Sequence, residues 1–371
     1  MTSTVSATTV PYALTRLGTL MTAEPGNPDE AEGVLNPAVA RDRNGGVYLF
    51  PRLVGAHNAS KIGRAQVLEA EGTPVAVRRE GIALEPDRGW EHGARHGGIE
   101  DPRITWIESL KRYVMTYVAF GPTGPRTAVA VAEDLDHWQR LGPLLFDYDD
   151  DLDTDLNLFP NKDVVFFPEV VTAPDGVPSY AVLHRPMWDL GFTSPNEPAP
   201  VPRGLVEHRP SIWISYVPAA DVAGDLRRLV RLGSHRFLAG PEQPWEDLKI
   251  GAGPAPVKTP EGWLLIYHGV TGRIVGSAFD LQPEVRYAAG AMILDPRDPG
   301  RVLARTAEPL LEPGVQEAAG VVPNVVFPTA IERFSGVDYV FYGMADSSIG
   351  VARLDRTDRA IPPSTEQEAS R

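Results

Sequence analysis

The 371 residues suffice for one large domain or two ordinary ones, and 43% hydrophobic with 23% charged content is typical of a soluble globular protein. The net charge of −14 argues against nucleic acid and anionic membranes as partners, and the absence of cysteine excludes disulfides and thiolate metal sites. No apolar run approaches the roughly 20 residues that span a bilayer, and the N-terminus lacks a secretory signal pattern, so we expect a cytoplasmic protein.

Turn residues and strand-like segments divide the chain into a body and two ends. The 35 glycines and 36 prolines are spread throughout, which favours many short strands joined by tight turns. We expect an N-terminal extension over residues 1–30, a single domain over residues 31–356, and a polar, disordered tail over residues 357–371.

Three strand-like segments recur in a fixed order five times along the body, which indicates a repeated structural unit. The first segment of each repeat has a polar or charged entry followed by apolar residues. Its copies are Leu35–Asp42, Ile99–Glu108, Asn161–Val171, Lys249–Lys258 and Val322–Glu332. The second segment is rich in aromatic residues and ends in polar groups. Its copies are Val47–Val54, Arg112–Gly121, Tyr180–Pro186, Gly262–Val270 and Asp338–Asp346.

Five such units without a long amphipathic helix predict an all-β fold. The repeat favours a five-bladed β-propeller, in which the first strand of each blade lines a central channel. The five polar entries would then meet around one axis, where we expect a small-molecule site. A pair of β-sandwiches with accidental internal similarity is the alternative.

Two longer inserts interrupt the repeat. Phe146–Asn157 is rich in aspartate and resembles the start of an EF-hand loop, but Leu156 and Lys162 stand where glycine and the closing glutamate are required. A solvated acidic loop is therefore favoured over a calcium site. Met187–His208 is rich in proline and predicts a long loop that serves as a lid or an oligomer contact, with Trp188 available for sugar stacking or packing.

Charged and polar residues at the strand ends form the predicted site. They are Asn36, Arg52, Asp101, Arg103, Lys162, Asp163, His184, Arg185, Lys249, Tyr267, His268, Asn324, Tyr342 and Asp346. Charges packed this closely are costly unless they are paired or contact a ligand. Cations outnumber carboxylates in this set although the protein is acidic, which favours an anion site beside a general acid over a structural ring of ion pairs.

Motifs of several common enzyme classes are absent from the sequence. There is no G-x-S-x-G elbow, H-E-x-x-H zinc motif, G-x-x-x-x-G-K-[ST] loop or G-x-G-x-x-G fingerprint. Serine-hydrolase, zinc-protease and nucleotide-dependent chemistry are therefore unsupported, and we expect neither a metal nor an organic cofactor.

The ordered set of motifs resembles glycoside hydrolase family 130, the β-mannoside phosphorylases and their hydrolytic relatives. The matching motifs are EDPRIT (Glu100–Thr105), NKD (Asn161–Asp163), FPE (Phe167–Glu169), LHRP (Leu183–Pro186), IWISY (Ile212–Tyr216), KIGAG (Lys249–Gly253), WLLIYHGV (Trp263–Val270), VPNVVFP (Val322–Pro328) and YGMAD (Tyr342–Asp346). The resemblance extends from about Leu35 to Asp355.

This resemblance implies a five-bladed propeller that cleaves β-mannosides by inverting attack of inorganic phosphate, releasing α-mannose 1-phosphate. Asp101 corresponds to the family's general acid, which acts through a sugar hydroxyl. The residues that correspond to phosphate-binding groups are Arg52, Arg185, Lys249 and His268. The residues that correspond to groups holding the mannosyl ring are Asn36 and Asp346. Phosphate would be the co-substrate and a β-mannoside the second small-molecule partner.

Two other functions stay open. An inverting β-mannosidase needs a second carboxylate roughly 6.5–9.5 Å from the acid to activate water, whereas a phosphorylase needs cations there. The resemblance favours phosphorolysis because the family's hydrolases carry glutamates where this chain has basic residues. Glu100 and Glu169 are the candidate bases for hydrolysis. A non-catalytic sugar-binding propeller is the third interpretation, and the linkage (β-1,4 or β-1,2), the acceptor sugar and a homo-oligomeric state are not decided by the sequence.

Overall fold

The computed structural model describes residues 10–93, 96–188, 201–275 and 282–357. These residues form β-strands almost throughout, which confirms the predicted all-β class. In chain order the strands are β1 (Tyr12–Thr22), β2 (Gly33–Arg41), β3 (Val47–Gly55), β4 (Ala59–Ala70), β5 (Thr73–Leu84), β6 (Gly97–Ile107), β7 (Arg112–Gly121), β8 (Gly124–Ala132), β9 (Gln139–Pro143), β10 (Leu145–Phe146), β11 (Asn161–Thr172), β12 (Pro178–Pro186), β13 (Ile212–Pro218), β14 (Arg231–Ala239), β15 (Lys249–Ala252), β16 (Val257–Thr259), β17 (Gly262–Gly272), β18 (Val285–Leu294), β19 (Val302–Arg305), β20 (Val326–Phe334), β21 (Val337–Met344) and β22 (Ser348–Arg356).

Helices are short and lie in the connections. The α-helix α1 (Ala219–Gly224) follows β13 directly. Short 3₁₀ helices span Pro28–Glu30, Ala56–Asn58, Leu156–Leu158, Leu226–Val230, Pro244–Glu246 and Val315–Glu317. Among the described residues, none of the helices has the length and apolar character needed to cross a membrane.

The strands follow one another as five antiparallel units. The first unit is β2–β5 and the second is β6–β9, and a short parallel pairing of β4 with β6 joins them into one sheet. The third unit is β11–β14, with β10 parallel to its outer strand β14. The fourth has the order β15-β17-β18-β19, with β16 also paired to β17. The fifth contains β20, β21 and β22.

The fourth strand of the fifth unit comes from the beginning of the chain. β1 pairs antiparallel with β22, from Tyr12 opposite Arg356 to Thr22 opposite Ser348. Tyr12–Thr22, part of the segment predicted as an N-terminal extension, thus supplies an edge strand to the last sheet. The three-segment repeat omits the fourth strand of every unit, so it offered no place for β1.

Apolar side chains fill the spaces between consecutive units. Five buried clusters occur in the described residues, and each combines residues from two units that follow each other, the last being paired with the first. Phe167 and Trp263 illustrate this packing, since their rings meet edge to face at 5.3 Å between the third and fourth units. Phe341 and Leu49 belong to the cluster between the fifth and first units. Burial of this apolar surface stabilises the arrangement.

A bulge near the beginning of three first strands aims polar side chains away from the regular ladder. The pairing of β2, β6 and β11 with the next strand slips by one residue at Asn36, Asp101 and Asp163. These residues have φ angles of 43°, 48° and 55°, in the left-handed region that asparagine and aspartate tolerate better than other non-glycine residues. A bulge redirects the side chain at its position, so the chain gains three polar groups at equivalent places.

The acidic insert folds against the third unit. Phe146 lies in β10, and Asp147 donates its backbone N–H to the carbonyl of Leu232 at 2.8 Å. Farther along, Asp153 accepts a hydrogen bond from Tyr148 at 2.6 Å. In the described part of the chain, no group of three or more histidines or carboxylates is placed to hold a metal ion.

The proline-rich insert is described only in part, because residues 189–200 of the predicted lid lie outside the described residues. Trp188 is 4% exposed. Its ring lies between Phe159 and Trp213, at centroid distances of 4.9 and 5.8 Å. Of the two roles predicted for Trp188, the structure therefore supports packing rather than sugar stacking.

Candidate active site

Asp101 lies at the β6 bulge with one oxygen held by the protein. Its Oδ1 accepts hydrogen bonds from Asn36 Nδ2 at 2.9 Å and from Arg52 Nη1 at 3.2 Å. Among the described residues, no group bonds to Oδ2, although the residue is only 8% exposed. A carboxylate that is oriented through one oxygen, while the other has no bond to the described residues, is suited to exchange a proton with a bound molecule.

Arg52 lies beside Asp101 and is held there by further hydrogen bonds. Its Nε donates to Ser60 at 3.0 Å, and its Nη2 donates to Asn58 at 2.7 Å and to Glu100 at 2.9 Å. Burial works to lower the pKa of Arg52, but the neighbouring carboxylates more than offset this and raise it. The guanidinium therefore orients the acid and Glu100.

Asp163 is the centre of the second half of the site. Its Oδ2 lies 2.7 Å from Arg185 Nε and 3.6 Å from His268 Nε2, and its Oδ1 accepts from Arg103 Nη2 at 3.4 Å. Burial would raise the pKa of Asp163, but Arg185, His268 and Arg103 outweigh it and lower the pKa to about 2. The carboxylate is therefore ionised and is committed to holding these basic groups.

Burial lowers the pKa values of two basic groups around Asp163, Lys249 and His268. Burial, followed by the cation of Arg185, lowers the pKa of Lys249 to about 7. Burial also lowers the pKa of His268 to about 3, against the opposing effect of Asp163. Lys249 Nζ lies 5.5 Å from the centre of the Tyr287 ring. A doubly charged anion in this cluster would favour the cationic forms.

Several buried polar atoms at this site have no hydrogen-bond partner in the described chain. They are Asn36 Oδ1, Asp163 Oδ2, Arg185 Nε and Nη1, and both ring nitrogens of His268. Arg185 Nε is close to Asp163 Oδ2 but is not aligned for a hydrogen bond. Buried polar groups are normally satisfied, so a concentration of unsatisfied ones marks a place where a ligand would bind.

Two glycines allow the polar groups to meet. A Cβ on Gly251, in the KIGAG motif, would lie 2.1 Å from Asp163 Oδ2 and 2.5 Å from His268 Cε1. A Cβ on Gly343, in YGMAD, would lie 2.0 Å from Asn36 Oδ1. Both positions therefore exclude any larger residue because a site side chain occupies the space.

Arg103 was predicted to contact substrate, but each nitrogen of its guanidinium donates to a backbone carbonyl. Its Nε donates to the Gly253 carbonyl at 2.9 Å, and its Nη2 donates to the Ala252 carbonyl at 3.2 Å. Its Nη1 donates to the Asp101 carbonyl at 3.1 Å, and the residue is 2% exposed. This guanidinium joins β6 to the fourth unit beneath the site and braces both halves.

Tyr267 and Tyr342 lie outside the cluster that the sequence predicted for them. Tyr267 precedes His268 in β17, and successive side chains of a strand point to opposite faces. Its hydroxyl donates to the buried Glu246 and accepts from Arg305 at 3.1 Å. The Tyr342 hydroxyl likewise donates to the buried Glu317, at 3.1 Å. Both tyrosines pack between units and have no exposed surface.

The other three predicted residues are Lys162, Asn324 and Asp346. Lys162 Nζ lies 3.7 Å from Glu100. Asn324 precedes β20 with a φ of 63°, and its carbonyl accepts the N–H of Tyr287 at 2.9 Å. Asp346 occupies the β21–β22 turn with a φ of 48°. Burial raises the pKa of Asp346 to about 6, against the lowering effect of Arg52.

Two aromatic residues of the site were missed by sequence reasoning. The Tyr287 ring lies 5.9 Å from that of His268, and the Phe327 ring lies 4.5 Å from it. Phe327 stood within the VPNVVFP motif, but an aromatic residue in a strand signals packing more often than a site. Tyr287 lies in β18, outside the first and second segments of its repeat. The site was predicted only from those two segments.

The candidate base Glu169 lies away from this cluster. It lines a separate cavity of about 680 Å³ together with Arg41, Trp106 and Glu332, at the opposite ends of the first strands. Its carboxylate there forms an ion pair with Lys258. Glu169 is therefore not placed to assist chemistry at Asp101.

Comparisons with known proteins identify the family of the chain. A family model described as β-1,4-mannooligosaccharide phosphorylase matches residues 14–185 and 205–358. The chain is 31% identical to a 1,2-β-oligomannan phosphorylase of Thermoanaerobacter sp. (strain X514), over 89% of this chain and 92% of that protein. It is 30% identical to a β-1,2-mannobiose phosphorylase of the same organism, over 88% and 91% of the two chains.

The fold also matches that of a solved structure, the β-1,2-mannobiose phosphorylase of Listeria innocua in complex with β-1,2-mannobiose. The TM-score is 0.66 at 24% identity, covering 94% of this chain and 97% of the other. The family model and the curated relatives each extend over most of the sequence. The chain therefore belongs to glycoside hydrolase family 130.

Proposed function

We propose that this enzyme, a glycoside phosphorylase by its family and curated relatives, cleaves a β-mannoside with inorganic phosphate. The observation that carries the proposal is the basic cluster around Asp163, where Arg185 Nη1 and both ring nitrogens of His268 are buried without a hydrogen-bond partner in the described chain. The buried Lys249 belongs to the same cluster, since the charges of Arg185 and Asp163 both act on its pKa. Such a cluster can gather and orient a phosphate dianion through charge-assisted hydrogen bonds. The products would be α-mannose 1-phosphate and the shortened sugar.

The proposed reaction is a single inverting displacement. A phosphate oxygen attacks C1 of the mannosyl ring from the face opposite the leaving group, forming the C1–O–P linkage as the glycosidic C1–O bond breaks. The leaving oxygen receives a proton that originates on Asp101 and passes through a sugar hydroxyl, as the family resemblance implies. Asn36 and Arg52 hold Asp101 Oδ1, so its other oxygen is the one that delivers the proton.

Three carboxylates that could activate water for hydrolysis, Asp163 and the two candidates predicted from the sequence, are poorly suited to that role. Asp163 is the carboxylate within the basic cluster, and its pKa of about 2, held down by Arg185 against burial, makes it a poor proton acceptor. Glu100 is bonded to Arg52 at 2.9 Å and is 2% exposed. Glu169 faces the other cavity. Phosphate attack needs none of these groups to act as a base.

The relatives favour a β-1,2 linkage for the substrate. The two Thermoanaerobacter relatives, which align over 89% and 88% of the chain, are named for β-1,2-linked mannosides. The family model is described by the β-1,4 activity, so β-1,4-mannobiose is the alternative substrate to compare.

We also infer that the five units are the blades of a five-bladed β-propeller, with β1 as the outer strand of the last blade. Five apolar clusters between consecutive units, including one between the last and the first, support a closed circle. Contacts between first strands support it too, because Thr105 donates to the Phe166 carbonyl and Thr329 to the Pro37 carbonyl. In this arrangement Asn36, Asp101 and Asp163 face one axis.

A panel of β-mannosides tests the proposal. The purified protein is incubated with β-1,2- and β-1,4-mannobiose, with and without inorganic phosphate, and the sugars released are separated and identified. We expect mannose 1-phosphate only in the presence of phosphate, and faster from the β-1,2 substrate. Free mannose at an equal rate without phosphate would instead establish the hydrolase. Sugar binding without turnover under either condition would establish the sugar-binding protein.

A further inference from the structure

A chain of hydrogen-bonded side chains runs through the third unit and ends at Arg185. The backbone N–H of Arg185 donates to Asn161 Oδ1 at 3.1 Å, and Asn161 Nδ2 lies 3.0 Å from His184 Nδ1. His184 Nε2 lies 2.8 Å from Ser215 Oγ, which lies 2.8 Å from His235 Nδ1. At the far end His235 Nε2 lies 2.9 Å from the Asp147 carbonyl oxygen, in the acidic insert.

The Arg185 end fixes the direction of the first bonds. A backbone N–H can only donate, so Asn161 must present its carbonyl oxygen to Arg185 and its amide group to His184. An amide group also only donates, so His184 accepts at Nδ1. The ring of His184 therefore carries its single proton on Nε2.

The Asp147 end fixes the same direction independently. A carbonyl can only accept, so His235 carries a proton on Nε2, and a neutral ring then accepts at Nδ1. Ser215 then accepts from His184 and donates to His235, which uses its hydroxyl proton. Each donor in the chain meets one acceptor only if both histidines are neutral.

The surroundings of the chain agree with neutral rings. Asn161, His184, Ser215 and His235 are all at most 4% exposed. Burial lowers the pKa of both histidines, and for His184 proximity to His235 adds to the effect. The Phe146 ring covers both, with centroids 4.9 Å from His184 and 5.6 Å from His235.

The third unit differs here from three of the others. His184 directly precedes Arg185, as Tyr267 directly precedes His268, so the two residues occupy matching places. In the second, fourth and fifth units, the position that matches His184 holds a tyrosine that donates to a buried glutamate. The pairs are Tyr117–Glu91, Tyr267–Glu246 and Tyr342–Glu317. The third unit has no such tyrosine–glutamate hydrogen bond at this position. It has instead a longer chain of uncharged side chains, which ends at β12, the strand that carries Arg185.

We propose that Ser215 and His235 are positioning residues for Arg185, acting through His184 and Asn161. The Asn161 side chain joins the site-facing ends of β11, which carries Asp163, and β12, which carries Arg185. Its orientation depends on His184, whose own orientation depends on Ser215. The inference rests on the proposed function, in which Arg185 binds phosphate.

The kinetic test compares Ser215→Ala with Ser215→Thr, which keeps the hydroxyl, and with Ser179→Ala. Ser179, in β12 of the same sheet, is a suitable control because it is a similarly buried serine, 1% exposed. Among the described residues, its hydroxyl bonds only to the Val177 carbonyl. For Ser215→Ala we expect the KM for phosphate to rise on the order of 10-fold, as when groups that orient ligating residues are removed. The KM for the mannoside should not change, Ser215→Thr should restore part of the loss, and Ser179→Ala should match the wild type.

The two proposals fail differently. Wild-type turnover that ignores phosphate would refute the proposed function, whatever the variants do. Phosphate-dependent wild-type turnover with an unchanged KM for phosphate in Ser215→Ala would overturn the positioning role alone.

A second measurement does not depend on the folding of a variant. The protein has eight histidines, so ¹⁵N-histidine labelling and long-range ¹H–¹⁵N spectra can report the protonation of each ring. We expect His184 and His235 both to be neutral with the proton on Nε2, and a proton on Nδ1 of either ring would overturn the network.

Discussion

Gly251→Ala probes the proposed phosphate pocket without removing any functional group. The new Cβ would lie 2.1 Å from Asp163 Oδ2, whereas ordinary contacts begin near 3.4 Å, so the carboxylate must move by about 1.3 Å. Gly251 does not have a left-handed φ, so an alanine backbone is unstrained there. The effect should therefore be steric and should pass from Asp163 to Arg185 and His268.

A misplacement of about 1 Å in a positioning group can cost on the order of 100-fold in rate, which sets the expected loss in kcat/KM for phosphate. The assay is the initial rate of phosphorolysis at varied phosphate, with thermal unfolding measured in parallel. Gly233→Ala is the matched control, because its Cβ would meet nothing within 4 Å. A folded Gly251→Ala protein with wild-type kcat/KM for phosphate would refute the assignment of this pocket.

Three further predictions address the buried ion pair of Arg305 with Glu246 at 2.7 Å, here termed the clasp, the basic cluster and the acid. Glu246→Ala removes the buried carboxylate that pairs with Arg305 and should lower the free energy of unfolding in urea by about 3–5 kcal/mol. Glu242→Ala, which removes a 65%-exposed partner of Arg305, should change that free energy by less than about 1 kcal/mol, and equal effects would contradict the clasp. Burial, then Arg185, lowers the pKa of Lys249 to about 7, so the wild type loses this cation as pH rises through that value. The ratio of wild-type to Lys249→Met kcat/KM for phosphate should therefore fall above about pH 7, with phosphate ionisation cancelling in the ratio, and a flat ratio would exclude the cationic role. Asp101→Asn should abolish turnover while calorimetry still detects mannoside binding, and retained turnover would remove Asp101 from the role of acid.

The repeat in the sequence was informative because side-chain pattern and strand pairing share one period. Polar entries before apolar runs identified the first strands, and the all-β class followed. The bulges at Asn36, Asp101 and Asp163 have a sequence signal as well, since Asn or Asp before Pro or Val is compatible with a left-handed residue in a strand.

Other features depend on contacts between residues distant in the sequence. Tyr267 and His268 were both assigned to the site, although strand alternation allows only one of them to face it. Arg103 appeared available for substrate because its partners are carbonyl oxygens, which leave no trace in the sequence. Arg52 was assigned to phosphate by the family resemblance, and its bonds to Glu100 and Asp101 could not be predicted from the sequence.

The hydrogen bonds that connect His184, Ser215 and His235 could not be predicted from the sequence either. His184 and His235 are 51 positions apart, and each alone resembles an ordinary buried histidine. Their connection through Ser215 depends on the pairing of β12, β13 and β14, which brings the three side chains to one face. The N-terminal strand β1 is a similar case, since its partner β22 lies at the other end of the chain.

The most direct test of phosphorolysis is the stoichiometry between phosphate consumed and mannosidic bonds cleaved. It is measured by ³¹P and ¹H nuclear magnetic resonance on one reaction mixture of β-1,2-mannobiose, phosphate and the wild-type protein. Our account predicts one phosphate consumed per bond cleaved, with the product in the α configuration at C1. Bond cleavage without loss of free phosphate would contradict it and would show that water is the nucleophile.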